Sequence, residues 1–269
     1  MSTDVNTLKA DDLKSIRIKN INTHKFSIVF TDNCKITFLS GSESFLVPQN
    51  SLLFVERGVK YSCLLEKDDP DCSPFQKVCL DDEILKRLKG ILTSVYDYRL
   101  DVNKSHRTMT DKIIVAETEK ENISFFKKLL DINDTRKKTI KIAYLISKMS
   151  VVEKIVHSVV VSSAFSFTDK VRNLLSSDLS RKWRLNFVAD VFNVSEITVR
   201  KRLEVEGTSF NTLLLELRMN HAMNLLQENE KQIHQISALI GINNPSYFIR
   251  LFKDFYGITP KQYVIYFRS

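Results

Sequence analysis

The sequence has few of the residues that bend or interrupt a chain, with six glycines and five prolines among 269 residues. It contains no glycine-rich loop of the kind that holds nucleotide phosphates. It also has no run of about 18 apolar residues, so a membrane-spanning helix is not indicated. The mixed polar residues at its start do not resemble a signal peptide. We therefore expect a cytoplasmic protein that does not bind membranes.

Cysteine and histidine are also sparse. The four cysteines, Cys34, Cys63, Cys72 and Cys79, lie in the first third of the chain without the close CxxC pairing of a zinc site. In the cytosol such thiols stay reduced, and we expect them to be small core residues. The five histidines are scattered, without the HxH pair that could hold a catalytic metal. These absences predict a protein with no metal, no cofactor and no enzymatic activity.

Composition gives a weaker indication of the partner. The chain carries 40 lysines and arginines against 32 aspartates and glutamates, a formal charge of +8. This excess agrees with a polyanionic partner, although a soluble protein with a mildly basic surface would have the same composition. The length and an apolar fraction of 43% favour two domains, each with its own core.

Residues 233–255 have the pattern of a helix, a tight turn and a second helix. Asn244 can cap the second helix, with Pro245 at its first position. Apolar side chains then recur at helical spacing and form one buried stripe, made of Phe248, Phe252 and Phe255. A plain helical hairpin would show the same stripe. The polar side chains outside the stripe are candidates for contacting DNA: Asn244, Ser246, Tyr247, Arg250 and Lys253.

A related pattern occurs upstream. Residues 185–192 form a short predicted helix with Val188, Val191 and Phe192 directed inward. Ser195 can cap a following helix, whose buried side chains are Val199 and Leu203. The turn is one residue shorter than in the downstream copy, in which the extra residue falls at Asn244 and Pro245. The outward residues of this second helix are also candidates for contacting DNA: Glu196, Ile197, Arg200 and Lys201.

One continuous helix is predicted between the two copies, at residues 210–228, because apolar residues recur there at helical spacing without an interior glycine or proline. Such a helix would hold two helix-turn-helix units at a fixed separation. Two recognition helices could then enter successive major grooves, about 34 Å apart. Because the two copies differ in their turns, we expect an asymmetric DNA site rather than a palindrome for each chain.

The N-terminal half has a different pattern. Short strands separated by turns are predicted from residue 16 to residue 80, including residues 25–30 and 35–39 with a turn at 31–33. This pattern indicates a small barrel or sandwich. Helical spacing begins at residue 81, and further helices are predicted at residues 123–130 and 139–148. Amphipathic helices in this half could support a homodimer, although most such stripes cover a core.

The segment at residues 252–263 has the sequence FKDFYGITPKQY and resembles the closing signature of the AraC/XylS family of transcription regulators. The resemblance covers about residues 167–267. At residues 169–173, 195–204 and 245–250 it extends to the enterobacterial virulence regulators of that family, with weaker similarity at residues 21–25 and 54–58. It implies an α+β protein with an N-terminal cupin-like β-barrel flanked by helices, at residues 1–161. A linker at 162–168 and an all-α DNA-binding domain with two helix-turn-helix motifs, at 169–269, complete the expected order.

The resemblance also implies a function. Family members of this kind activate virulence genes by binding double-stranded promoter DNA, with RNA polymerase as a further partner. In some, a medium-chain fatty acid lies between the two domains, and His24 matches a polar group that holds its carboxylate. Lys25 could add a donor and Phe26 an apolar wall. A basic residue of the relatives is replaced by Cys79, with Lys77 nearby, so a smaller anion such as bicarbonate is an alternative effector.

The competing hypothesis is a non-enzymatic metabolite-binding or protein-interaction module that does not bind DNA. In such a protein the helical half would only pack as a core, and His24 would be a structural residue of a strand.

Overall fold

The computed structural model describes residues 14–96, 107–228 and 230–267. The chain divides into two compact units, an N-terminal unit of Met1–Ala164 with Tyr266–Ser269 and a C-terminal unit of Phe165–Ile265. The described strands are β1 (Ser15–Asn22), β2 (Ser27–Phe30), β3 (Cys34–Ser40), β4 (Glu43–Val47), β5 (Leu52–Val55), β6 (Lys60–Lys67), β7 (Gln76–Cys79) and β8 (Ile113–Ala116). The described helices are α1 (Asp82–Val95), α2 (Met109–Lys112), α3 (Lys120–Leu130), α4 (Thr135–Ser147), α5 (Val152–Ser162), α6 (Phe167–Ser176), α7 (Leu185–Val191), α8 (Glu196–Val205), α9 (Phe210–Glu228), α10 (Ile233–Leu239), α11 (Pro245–Tyr256) and α12 (Pro260–Phe267).

The strands of the N-terminal unit form two antiparallel four-stranded sheets. The first has the order β1-β6-β3-β4 and the second the order β7-β2-β5-β8. Together with the helical C-terminal unit, they confirm the predicted α+β class. The sheets that the described strands form are not closed into a barrel, so the expected β-barrel is corrected to two separate sheets.

The turn predicted at residues 31–33 carries the chain from the second sheet to the first. Ser51 N donates to Thr31 Oγ1 at 2.9 Å, and Asn33 Nδ2 donates to the Asp69 carbonyl at 2.8 Å. Both Thr31 and Asn33 are buried. Their side chains satisfy backbone groups that would otherwise be left unpaired where the chain changes sheets. These bonds stabilise the turn at which the chain passes from one sheet to the other.

The second sheet is covered on both faces. All residues of β2 and β5 are buried, and successive strand residues point to opposite faces. On one face, Ile28, Phe30 and Phe54 pack in a core with apolar residues of α1, α3, α4 and α5. Burial of each such side chain contributes about 1.5 to 3 kcal/mol. This sheet and its helices therefore form a hydrophobic core in the N-terminal unit.

The helical spacing that begins at residue 81 is confirmed, because Ile84 N donates to the Asp81 carboxylate at 2.8 Å and α1 begins there. The helices predicted at residues 123–130 and 139–148 correspond to α3 and α4, which begin a few residues earlier. The sequence patterns did not predict β8 or α5. The first is short, and the second is rich in β-branched valines, which have low helix propensity. None of the described helices combines the length and apolar character of a membrane span.

The described part of the C-terminal unit contains helices and no strands. The long helix α9 has the predicted bounds, and its buried Leu213, Leu214 and Leu217 share a core with α6, α7 and α8. In α11 the rings of Phe248 and Phe252 are 5.8 Å apart, and those of Phe252 and Tyr256 are 4.8 Å apart. The buried row continues to Tyr256, whereas Phe255 is only half-buried. The predicted stripe is therefore corrected at its last position, because the core follows the i, i+4, i+8 row.

A buried ion pair connects distant parts of the N-terminal unit. Glu56 follows β5 and is 4% exposed, and its carboxylate accepts bonds from Arg107 Nη1 at 2.8 Å and Ser158 Oγ at 2.8 Å. A second Arg107 nitrogen lies 2.7 Å from Glu56 Oε2. Two charges removed from water stay compatible with folding only while each is fully hydrogen-bonded. The pair therefore fixes the end of β5 against α5 and against the segment that precedes α2.

Replacement of Glu56 by alanine should destabilise the protein strongly, since it leaves the Arg107 charge buried and unpaired. The expected loss in the free energy of unfolding is about 3 to 5 kcal/mol, measured by urea denaturation followed by circular dichroism. Glu83→Ala is the matched control. It removes an exposed pair with Arg87, with a 2.8 Å contact, and should cost less than about 1 kcal/mol. Equal losses in the two variants would contradict a structural role for the buried pair.

Candidate nucleic-acid interface

The first helix-turn-helix unit consists of α7, a turn and α8. Asn193 lies in the turn with a φ of 51°, and Ser195 Oγ accepts a hydrogen bond from Thr198 N at 3.2 Å. The predicted cap is thus confirmed. Val199 and Leu203 are fully buried, as expected. Val191 was expected to point inward but is 55% exposed.

The second unit consists of α10, a turn and α11. Asn244 Oδ1 accepts from Tyr247 N at 3.0 Å, which confirms the predicted cap, and Pro245 is the first helical residue. Gly241 has the left-handed conformation, with a φ of 73°. The turn is one residue longer than in the first unit, as the bounds of the flanking helices show. Two related units with unequal turns are therefore present.

The four residues predicted to contact DNA from α8, namely Glu196, Ile197, Arg200 and Lys201, are all exposed. Ile197 is 66% exposed, and an apolar side chain in that position can contact a thymine methyl group. Arg200 Nη2 lies 3.8 Å from Glu196 Oε2. An exposed pair at this distance is weak, so DNA can displace it. Arg202 follows Lys201 in the chain. Its guanidinium carbon lies 5.1 Å from the centroid of the Phe167 ring, so this side chain is directed toward the body of the unit.

The residues predicted to contact DNA from α11 are exposed as well: Asn244, Ser246, Tyr247, Arg250 and Lys253. The side-chain oxygen of Asn244 accepts the capping hydrogen bond, and the amide NH2 group stays available to donate to a base or a phosphate. The Arg250 guanidinium lies 5.5 Å from the centroid of the Tyr247 ring. A cation held over an aromatic face is restrained before DNA arrives. The second recognition helix therefore presents a partly ordered arginine.

Sequence reasoning missed a basic group at the start of the first unit. Arg181, Lys182 and Arg184 precede α7 and are exposed. The Arg181 guanidinium carbon lies 4.7 Å from the centroids of both the Trp183 and the Phe187 rings. Cationic side chains beside a helix-turn-helix unit are suited to phosphate contacts. The sequence does contain a signal for this group, because three of the four residues directly before the amphipathic helix α7 are basic.

The residues predicted to bind an effector lie in the loop between β1 and β2. His24 is half-buried, Lys25 is exposed, and Phe26 is fully buried in the core that the second sheet shares with the helices. The loop is held firmly, since Thr23 Oγ1 donates to the Glu56 carbonyl at 2.7 Å. His24 belongs to this loop rather than to a strand.

The strand β7 lies beside this segment. Cys79 is paired with Ser27, and the two side chains approach to 3.6 Å. Lys77 is paired with Val29 and is exposed. Residues opposite each other in an antiparallel pair have side chains on the same face of the sheet. Lys77 and Cys79 therefore share a face with Ser27 and Val29, away from the helical core.

All four cysteines are free. Cys34 and Cys63 are buried as expected, and burial raises the pKa of each thiol to about 12, so both stay protonated. Cys72 and Cys79 are exposed, which corrects the expectation that all four belong to the core. Among the residues that the structure describes, no group of histidine, cysteine and carboxylate side chains could hold a metal ion.

Two helix-turn-helix units in one helical domain, each with a capped second helix and an exposed polar face, define a bipartite DNA-binding protein. The model of the family described as "Helix-turn-helix domain" matches residues 188–264. The Escherichia coli DNA-binding dual transcriptional regulator Rns is 42% identical over 96% of this chain and 97% of its own length. The Shigella flexneri virulence regulon transcriptional activator VirF is 33% identical over 93% of this chain and 95% of its own. The chain belongs to the AraC/XylS family of transcription regulators, in the group of Rns and VirF.

The fold is also that of a solved protein. ToxT from Vibrio cholerae is 17% identical, with a TM-score of 0.69 over 95% of both chains. Another ToxT structure, with an unsaturated fatty acid bound, has a TM-score of 0.63 over 94% of this chain and 91% of that one. At 18% identity this likeness establishes the fold alone.

Asn244 should act both as a helix cap and as a DNA contact, and two substitutions separate these roles. Asn244→Ala removes the cap and should lower the free energy of unfolding by about 1 kcal/mol. Asn244→Asp keeps the cap, so stability should persist, but it replaces an amide donor with a negative charge and should weaken binding to duplex DNA. Urea denaturation and fluorescence anisotropy measure the two effects. The exposed neighbour Asn243 provides the control, because Asn243→Ala should change stability little; equal destabilisation by Asn244→Asp and Asn244→Ala would contradict the capping role.

Proposed function

We propose that this chain is a sequence-specific, DNA-binding transcription activator of virulence genes. The observation that carries the proposal is the pair of capped recognition helices, α8 and α11, whose exposed faces hold arginine, lysine and amide groups. The named roles of Rns and VirF, whose sequences align over nearly all of this chain, support the same function. An activator also needs contact with RNA polymerase, which we propose as its second macromolecular partner.

DNA binding would combine two kinds of contact. Lysines and arginines near the recognition helices would neutralise phosphates and supply salt-dependent affinity. Side chains on the outer faces of α8 and α11 would contact base edges in the major groove. We assign base contacts to Arg200 and Arg250, because a planar guanidinium matches the two acceptors of guanine. We assign phosphate contacts to Lys201 and Lys253, because an ammonium acts as a compact point charge.

We further propose that residues 1–161 form an effector-binding domain and residues 169–269 the DNA-binding domain, with a linker at 162–168. The effector would be a small anion, with a medium-chain fatty acid as the first choice, in analogy to the fatty acid bound by ToxT. His24 and Lys25 would supply hydrogen-bond donors to its carboxylate. Lys77, which is exposed on the neighbouring strand, is the basic group available where Cys79 offers none. Phe26 lies inside the core and would anchor the loop that carries His24 and Lys25.

Binding to a pool of duplex DNA with a random central segment tests the regulator directly. Repeated selection with the full-length protein should enrich one asymmetric sequence, whose affinity falls as salt rises. Arg250→Ala should relax the preference at one base pair by about 1 to 3 kcal/mol. Lys253→Ala should weaken binding to all DNA sequences by the same factor. It should also reduce the slope of the logarithm of the binding constant against the logarithm of the salt concentration by about 1. If folded protein shows neither enrichment nor salt-dependent binding, the chain is a metabolite-binding or protein-interaction module.

The effector site is tested by melting temperature. Decanoate should raise the midpoint of wild-type protein, because a ligand that binds only the folded state stabilises it by about 2.7 kcal/mol at one hundred times its Kd. His24→Ala should reduce this shift, while His234→Ala, an exposed histidine on α10, should retain it. A midpoint that responds to bicarbonate but not to decanoate would identify the smaller anion instead. An unchanged midpoint with both ligands would count against an effector site.

A further inference from the structure

The connecting helix α9 carries one arginine, Arg218, whose donors leave the helix and meet a loop. Its Nε donates to the Leu179 carbonyl at 3.2 Å, and its Nη2 donates to the Arg181 carbonyl at 3.0 Å. Both acceptors belong to residues 178–184 of the loop between α6 and α7. This guanidinium therefore bonds backbone groups directly before the first helix-turn-helix unit.

The loop itself is well fixed. The Asp178 carboxylate accepts from Ser180 N at 3.0 Å and from Ser180 Oγ at 2.6 Å, and the Trp183 indole donates to the Asp178 carbonyl at 2.8 Å. Leu179 and Trp183 are buried in the core of the unit. Because α7 begins at the next residue after the loop, the position of the loop determines the position of the first unit.

The turn of the second unit approaches the same loop. A Cβ atom added at Gly241 would lie 2.7 Å from Arg218 Nη2, 2.7 Å from the Leu179 carbonyl oxygen and 2.9 Å from the Ser180 carbonyl oxygen. Glycine is required here both by this contact and by its φ of 73°. The turn that joins α10 to α11 is thus packed directly against the arginine and the loop.

Three elements therefore meet at one place, which we call the Arg218 junction: the 178–184 loop, Arg218 of α9 and Gly241. The helix α8 follows the loop after the short helix α7 and a tight turn, whereas Gly241 lies within the turn that leads into α11. An apolar residue at position 218 would leave the two carbonyls without this donor, and both hydrogen bonds between this side chain and the loop would be lost. The junction restrains the relative position of the two units more directly than the connecting helix could alone.

We propose that Arg218 and Gly241 are positioning residues that determine the distance accepted between the two halves of the DNA site. The inference rests on the proposed function. Inserting one base pair between the half-sites moves one of them by about 3.4 Å and rotates it by about a tenth of a turn. Recognition helices at a fixed separation cannot bind both half-sites after the insertion. When the contacts of the Arg218 junction are lost, the two helices can adjust to the new separation.

The test uses the sequence that wild-type full-length protein selects from random duplex DNA. Two duplexes are compared, one with the selected spacing and one with a base pair inserted between the half-sites. Wild-type protein should lose about tenfold or more in affinity for the second, since a misaligned half-site costs more than a single mismatch. Arg218→Met should lose clearly less, while its base preference within each half-site stays that of wild type. Gly241→Ala should show the same relaxed spacing.

Controls separate positioning from folding. Arg87→Met removes an exposed arginine of α1 and should keep the wild-type ratio between the two duplexes. Far-ultraviolet circular dichroism and the melting temperature show whether each variant is folded. If Arg218→Met does not fold, Arg218→Lys keeps the charge with fewer correctly placed donors and should give an intermediate ratio.

If Arg218→Met lowers the affinity for both duplexes by the same factor, the proposal is overturned, because Arg218 would then only stabilise the domain. The proposal is also overturned if the variant binds the selected duplex as tightly as wild type and keeps the wild-type ratio of affinities for the two duplexes. Failure of wild-type protein to select any sequence is a different result, since it rejects the proposed function before spacing is measured.

Discussion

The side chains that this protein can present to DNA depend on one constraint, the rotation of each recognition helix about its own axis. A buried apolar pair four residues apart sets that rotation: Val199 and Leu203 in α8, and Phe248 and Phe252 in α11, all fully buried. Turning either helix would expose such a pair at about 1.5 to 3 kcal/mol for each side chain. The two N-caps determine where the helices begin. The first residue of each recognition helix and its rotation about the helix axis together determine which side chains point outward.

Because these determinants are local, much of the interface could be predicted from the sequence. Apolar periodicity and capping act over about one to three helical turns. The bounds of α9, the caps Ser195 and Asn244 and the extra residue of the second turn all followed from them. The exposed candidates on α8 and α11 followed as well. The basic residues before α7 were missed because a loop has no periodicity from which to infer exposure.

The remainder of the fold depends on contacts between residues distant in sequence. β8 pairs with β5 through Val55 and Ile113, and no local pattern in a four-residue strand indicates its partner. The buried pair of Glu56 and Arg107 and the approach of Gly241 to Leu179 are of the same kind. A glycine at the end of a helix is explained by its left-handed conformation alone. Its second role, close packing against an arginine and a loop, is visible only in three dimensions.

The two recognition helices are not equivalent in what they offer to DNA. Arg200 of α8 lies near Glu196 of its own helix, so a base or phosphate must displace that carboxylate and then tolerate it nearby. Arg250 of α11 is restrained over the neutral Tyr247 ring. Since pre-ordering a long side chain reduces the entropy lost on binding, α11 should contribute more base specificity than α8. Glu196 would in turn favour a cytosine amino group at its position, which gives the two halves of the site different sequences.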